Sequence, residues 1–273
     1  MPRSDSTPNS RATVAVAFDK PRQRERAEEL AETLGLKIAQ RLNDPHDLHL
    51  AVAHRGEDDP DRLELRVNAH LHRKHPLVGG HPIAAEPQQL DISSPAGRKL
   101  NSAFFKAVGI RKGDSFRPPV IDATAGFGED AWLLAAAGCE VIAYERNAIV
   151  HALLQDALNR AGQTHPEIAA RIELHHGDLL ELPSSTPIPR SATIYLDPMF
   201  PTGRKTAEKK PMRVLRWLLG DDTDADALLP VALEITDGRV VVKRPRLAPA
   251  LDGREPIHSH DAKALRYDVY RSA

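Results

Sequence analysis

Val120-Ile121-Asp122-Ala123-Thr124-Ala125-Gly126-Phe127-Gly128-Glu129-Asp130 opens the stretch VIDATAGFGEDAWLLAAAGCEVIAYER (120–146), and its reading decides the fold. A β-favouring apolar run over 120–123 leads into a glycine-bearing turn. A helical pattern over 129–137, a second strand over 140–144 and a second helix over 148–161 follow. This alternation predicts an α/β protein with a doubly wound, mostly parallel sheet. Strand patterns at 172–175, 193–196 and 239–242, with helical patterns near 212–219 and 224–233, extend it. The closing stretch 265–270, with Tyr267, Val269 and Tyr270, predicts an antiparallel edge strand.

Upstream, the run Val14-Ala15-Val16-Ala17 reads as a strand, 22–34 as a helix stopping at Gly35, and 47–54 with 62–67 as a hairpin around an acidic, turn-rich loop. The expected division is a disordered tail over 1–12, a smaller N-terminal α/β unit with its linker over 13–95, and the main domain over 96–273. With 273 residues, 41% of them hydrophobic, the chain can bury a core without disulfides or metal. Its single cysteine, Cys139, excludes an internal disulfide and any multi-cysteine metal site. No apolar run approaches the roughly 20 residues of a bilayer crossing, and the polar start lacks the apolar segment of a secretory signal. A cytoplasmic protein is expected. His70, His72, His75 and His81 invite a metal reading, but no carboxylate or cysteine completes a ligand spacing, and no metal is expected.

The glycine turn sits between a strand and a helix, where backbone N–H groups can receive a polar or anionic ligand. Asp122, Gly126 and Gly128 belong to this turn, and a nucleotide-like cofactor suits it. Gly126, Gly128 and Ala131 also satisfy the G-x-G-x-x-A spacing of dinucleotide-binding folds. Glu145, at the end of the next strand, is placed to accept hydrogen bonds from both hydroxyls of a ribose, which NAD and S-adenosylmethionine share. A surface ion pair with Arg146 is the plainer use of that glutamate. Asp178, in His176-Gly177-Asp178-Leu179, is placed to accept from an adenine amino group; a helix N-cap is its alternative role.

Asp197-Pro198-Met199-Phe200-Pro201, directly after the strand at 193–196, separates the two cofactors. Two prolines around an aromatic ring make a stiff loop that presents a carboxylate, backbone carbonyls and a ring. A nucleobase amino nitrogen is a poor nucleophile because its lone pair is delocalised. If the Asp197 carboxylate and the Pro198 carbonyl accept its two N–H hydrogens, with Phe200 stacked on the base, the nitrogen is aimed at a sulfonium methyl and catalysis is positioning.

DATAGFGEDAWLLAAAGCEVIAYER (122–146), IYLDPMFP (194–201), KKPMRVLRWLLGDDTDADALL (209–229) and RVVVKRP (239–245) closely resemble the bacterial small-subunit ribosomal RNA (guanine-N2)-methyltransferase J family. The resemblance covers most of 107–249. It implies a class I, Rossmann-like methyltransferase fold that uses S-adenosylmethionine to methylate the N2 amino group of a guanosine in 16S rRNA. Family cofactor contacts fall on Glu129, Asp130, Glu145, Arg146, Gly177, Asp178 and Asp197. The family often carries Arg-Asp at Glu129-Asp130 and small hydroxyl residues at Gly177-Asp178. It also has an arginine- and glycine-rich segment where this chain has the shorter 93–100.

The global charge of -1 carries no nucleic-acid signature, so local clustering must. Between 204 and 216, Arg204, Lys205, Lys209, Lys210, Arg213 and Arg216 face only Glu208, and four aspartates follow over 221–226. Phosphates of 16S rRNA, free or in the small subunit, are the expected partner, with Lys243, Arg244 and Arg246 extending the patch. Competing readings are methylation of another base amino group such as adenine N6 in RNA or DNA, an NAD-dependent oxidoreductase, and a non-catalytic RNA-binding or ribosome-assembly protein.

Overall fold

A computed structural model describes residues 11–39, 44–56, 59–70, 81–92, 102–183, 185–199, 210–220, 222 and 224–272. Packing divides the chain into two units, Met1–Ile83 with Pro201–Asp222, and Ala84–Phe200 with Thr223–Ala273. The first unit is therefore discontinuous in sequence.

In the first unit the chain forms β1 (Val14–Phe18), α1 (Arg24–Leu34), β2 (Lys37–Ile38), β3 (Leu48–Ala53) and β4 (Arg62–Val67). The sheet order is β2-β1-β3-β4, with β1 parallel to both neighbours and β3–β4 the expected antiparallel hairpin. Ala15, Val16, Leu48, Leu50 and Leu65 fill its core, and α1 buries Ala27 and Ala31. Glu64 is fully buried on β4, a costly place for a carboxylate, and Arg55, Arg62 and Arg66 neutralise it.

The second unit continues with α2 (Ala103–Val108), β5 (Val120–Asp122), α3 (Glu129–Ala136), β6 (Val141–Glu145), α4 (Ala148–Thr164), α5 (Pro166–Ala169), β7 (Ile172–His176) and β8 (Thr193–Leu196). The chain then forms α6 (Lys210–Leu219), grouped with the first unit, where Val214, Leu215 and Leu218 are buried. It finishes the second unit with α7 (Ala225–Ile235), β9 (Val240–Pro245), β10 (His258–Asp261) and β11 (Leu265–Tyr270).

The sheet order here is β10-β11-β9-β8-β5-β6-β7. The five strands from β9 to β7 are parallel, and β11 and β10 are added antiparallel. Period-two alternation sorts the strands onto two cores. Val120, Tyr195 and Val241 pack in one cluster with Phe104, Phe105 and the fully buried Trp132. Their neighbours Ile121, Ile194, Val240 and Val242 pack in the other, with Leu228 and Leu229 of α7. Helices on both faces make the fold doubly wound.

One expectation needs correcting: β11 is antiparallel but is not the edge strand, because β10 pairs along its outer side. His258-Ser-His-Asp261 has no apolar alternation and is largely exposed, so its strand character comes from ladder hydrogen bonds to β11 rather than from burial.

The turn into α3 constrains its residues tightly. Gly128, the N-cap, has φ +75°, and a Cβ there would lie 2.5 Å from Leu154 Cδ1. Gly128→Ala is expected to lower stability by about 1–2 kcal/mol, as the left-handed conformation penalises an L side chain. Urea unfolding checks this, and an unchanged midpoint would mean that the turn tolerates a side chain.

Candidate active site

The order of the second sheet reverses at β5: the chain moves outward through β6 and β7, then returns to build β8 and β9 on the other side. The crevice outside the carboxyl ends of β5 and β8 is where doubly wound sheets bind ligands. Asp122 ends β5, and Asp197 follows β8. The two turns are tied together, since the Asp197 N–H donates to Thr124 Oγ1 at 2.7 Å.

The glycine turn is likewise fastened to β6. Gly126 N–H donates to Glu145 Oε2 at 3.0 Å, and Asn147 N–H donates to Glu145 Oε1 at 2.7 Å. Asn147 in turn caps α4 by accepting from Ile149 and Val150. Gly177 N–H reaches the Glu145 carbonyl at 3.1 Å, which brings the end of β7 alongside. Asp178 takes the capping role, with Oδ1 accepting from Leu180 N–H at 3.0 Å, while Oδ2 lies 3.3 Å from Arg146. Arg146 also pairs with Asp224 at 2.8 Å.

A charge cluster lies at these strand ends. Lys243 Nζ, on β9, lies 2.8 Å from Asp130 Oδ2 and 2.9 Å from Asp197 Oδ2. The Tyr195 hydroxyl donates to the same Asp130 oxygen at 2.7 Å. Burial works against the Lys243 ammonium, but Asp197 and Asp130 outweigh it and raise its pKa. Burial also pushes the Asp197 carboxyl up, with Lys243 opposing the shift. Asp197 nevertheless keeps 35% of its side chain exposed, so it is reached from one side. Asp122 is raised to about 8 by burial, with Asp130 adding to the shift and the Thr124 N–H bond opposing it. At neutral pH Asp122 is thus mostly a neutral acid. One ammonium then faces two carboxylates rather than three.

Of the residues singled out by sequence, Asp122, Gly126, Gly128, Asp130, Glu145, Gly177, Asp178 and Asp197 lie at or beside these strand ends, and Arg146 joins them through Asp178. Glu129 sits exposed in the first turn of α3, and Pro198 is buried. Phe200, Arg204, Lys205 and Lys209 lie outside the described residues; Lys210 and Arg213 are on α6. Lys243, expected among the phosphate-binding cations, is instead held between two carboxylates. Thr124 and Tyr195 were missed. Their signals were a hydroxyl inside the glycine-turn motif and a phenol on an otherwise apolar strand. Among the described residues no cluster of histidine, cysteine or carboxylate side chains could hold a metal ion, and no helix is long and apolar enough to cross a membrane.

A family model described as "Putative SAM-dependent methyltransferase" matches residues 82–272. The ribosomal RNA small subunit methyltransferase J of Pseudomonas fluorescens strain Pf0-1 is 49% identical over 199 residues, covering 69% of this chain and 76% of that protein. Its namesake from Pseudomonas paraeruginosa strain PA7 is 40% identical over 259 residues, 90% of each chain. The chain belongs to the ribosomal RNA small subunit methyltransferase J family. A crystal structure of a SAM-dependent methyltransferase from Neisseria gonorrhoeae has the same fold, with TM-score 0.62 and 25% identity over 94% of this chain and 96% of that one. This methyltransferase accordingly uses S-adenosylmethionine, and the class I fold expected from the sequence is the one found.

The neutral Asp122 has a measurable consequence. Its carboxyl titrates near 8 when folded and near 4 when unfolded, so the stability it contributes is complete below pH 4 and is lost as pH rises to 8. Asp122→Asn removes that titration. The stability of the variant relative to the parent is expected to rise between pH 5 and pH 8, by up to about 1.4 kcal/mol per pH unit. A difference constant across that range would show that Asp122 is ionised throughout.

Proposed function

We propose that this methyltransferase transfers a methyl group to the N2 amino group of a guanosine in 16S rRNA, in the cytoplasm. The observation that carries this reading is the fixing of the Asp197-Pro198 turn at the sheet's switch point, by Thr124 through the backbone and by Lys243 through Oδ2. Lys243 occupies one carboxylate oxygen and orients the group. Oδ1 is then the acceptor for one amino hydrogen of the base, and the Pro198 carbonyl accepts the other. Phe200 stacks on the extruded guanine. With both hydrogens engaged, the nitrogen lone pair is turned out of conjugation and aimed at the methyl donor. The nitrogen becomes acidic once alkylated, so its proton passes to the Asp197 carboxylate or to water without a strong base.

The donor set suits S-adenosylmethionine, which when bound supplies an electrophilic methyl group on a sulfonium. Asp122, Gly126, Gly128, Glu129 and Asp130 of the glycine turn and α3 would hold its polar end. Glu145 and Arg146 would meet the ribose, and Gly177 and Asp178 the adenine. Arg204, Lys205, Lys209, Lys210 and Arg213 would hold rRNA phosphates.

The assay is methyl-labelled S-adenosylmethionine with under-methylated small subunits, free rRNA or DNA, followed by nucleoside analysis. N2-methylguanosine from rRNA is expected; N6-methyladenosine would reassign the base. Asp197→Ala should cut kcat/KM by at least about 100-fold while the protein stays folded, the size of effect that misplacing a reactant produces. Unchanged turnover removes Asp197 from the mechanism. The pair Lys209→Glu and Lys210→Glu should lower the slope of log affinity against log salt by about two, one for each phosphate no longer neutralised. A slope equal to the parent's would clear this segment of phosphate binding.

A further inference from the structure

A second concentration of positive charge lies at the opposite end of the second unit's sheet. Arg239 immediately precedes β9, on the same strand face as Val241 and Lys243, and four residues of extended chain put it about 13 Å from the Lys243 backbone. Its half-buried guanidinium packs on Gly109, 3.5 Å from where a Cβ would stand, and Nη1 donates to the Ala107 carbonyl in the last turn of α2 at 3.3 Å. A cation at a helix C-terminus is favourable, and this contact fixes the side chain. It uses one of the five guanidinium donors.

The two charged groups that act on Arg239 are basic. Burial lowers its pKa, and Arg271 and Arg111 lower it further, with no acid in opposition. His260, next along the surface, is lowered by burial and then by His258, Lys106 and Arg239. The rings of His258 and His260 lie 5.0 Å apart.

Strand alternation keeps the acids away. His258 and His260 pair with Val269 and Tyr267, the face of β11 that packs towards α2. Ser259 pairs with Asp268 on the other face, where Asp268 is held by Ser259 and Arg266. Lys106, Arg111 and Arg271 are exposed, and among the described residues none has a carboxylate ion-pair partner.

We infer that Lys106, Arg111, Arg239 and Arg271 form an anchoring surface for RNA phosphates around the amino end of β9, at the other end of that strand from Lys243, with His258 and His260 flanking it along β10. The inference rests on the rRNA-methylating reading above. A fixed arginine surrounded by exposed cations suits a run of phosphates better than a single anion.

The test is equilibrium binding of under-methylated small subunits by the full chain over a salt series, alongside the labelling assay. Arg111→Glu with Arg271→Glu, both at exposed positions, should weaken binding at least tenfold at low salt and lower the salt slope by about two. The effect should appear in KM for the subunit, with S-adenosylmethionine affinity and melting temperature retained. Arg111→Lys with Arg271→Lys should keep the slope. An unchanged slope in the glutamate pair overturns the anchoring surface while leaving the methylation reading intact, and would reassign the patch to an acidic protein surface. A lysine pair as weak as the glutamate pair also overturns it, since charge would not be the cause. If the parent chain neither binds nor labels rRNA, both readings fall together.

Discussion

The ammonium of Lys243 is what makes a site out of three strand ends. It lies within 3 Å of Asp130, at the start of α3, and of Asp197, after β8, and so links β9 to both. A lysine with 20% of its side chain exposed has lost most of its hydration, and so has each partner. Such pairs add little net stability, because attraction mainly offsets desolvation. They do fix geometry, since removing one partner strands the others. Tyr195 reinforces the arrangement by donating to the Asp130 oxygen that Lys243 uses. Asp122, placed nearby without a cation of its own, stays protonated, which keeps a third negative charge off the cluster.

This arrangement suits a reaction whose nucleophile is a neutral amino group. Such a substrate needs acceptors rather than cations, and a cation left open beside Asp197 would compete for the carboxylate oxygen that we propose receives the amino hydrogen. Lys243 avoids that conflict because its charge is already balanced by two carboxylates and one of its contacts orients Asp197. The glycine turn contributes in a complementary way. Its N–H at Gly126 is engaged by Glu145, so the loop that would face the cofactor is braced from β6 before any ligand arrives.

Much of this was legible in the sequence. Over 120–146 strand propensity, glycine turn and helical pattern all agree, and local agreement of this kind is what makes a segment readable. The hairpin of β3 and β4 was readable for the same reason. What escaped depended on partners far along the chain. Lys243 stands in the basic string Lys243-Arg244-Pro245-Arg246, so it reads as a surface cation, yet one partner is 113 residues away. Asp178 offered two uses that spacing cannot separate; its Oδ1 makes the capping bond, and the adenine contact stands as a proposal. Strand β10 has no apolar period, because an edge strand held by main-chain hydrogen bonds needs none.

Lys243 on β9 and Arg239 just before it, on one face, show how position in a sheet, rather than residue type, decides what a charge does. Lys243 emerges at the carboxyl end, where the turns after β5 and β8 carry aspartates, and it is neutralised there. Arg239 emerges at the amino end, where its near neighbours are a helix C-terminus and other cations. A helix carbonyl stabilises a guanidinium without cancelling its charge, so the positive potential there still reaches solvent. For an enzyme acting on one base within a large polyanion, this division has a physical logic. Affinity can come from long-range attraction at an anchoring surface, while the crevice supplies short-range hydrogen bonds whose geometry changes little with salt. Strengthening the anchor would then raise occupancy without disturbing the carboxylate that we propose orients the reacting nitrogen.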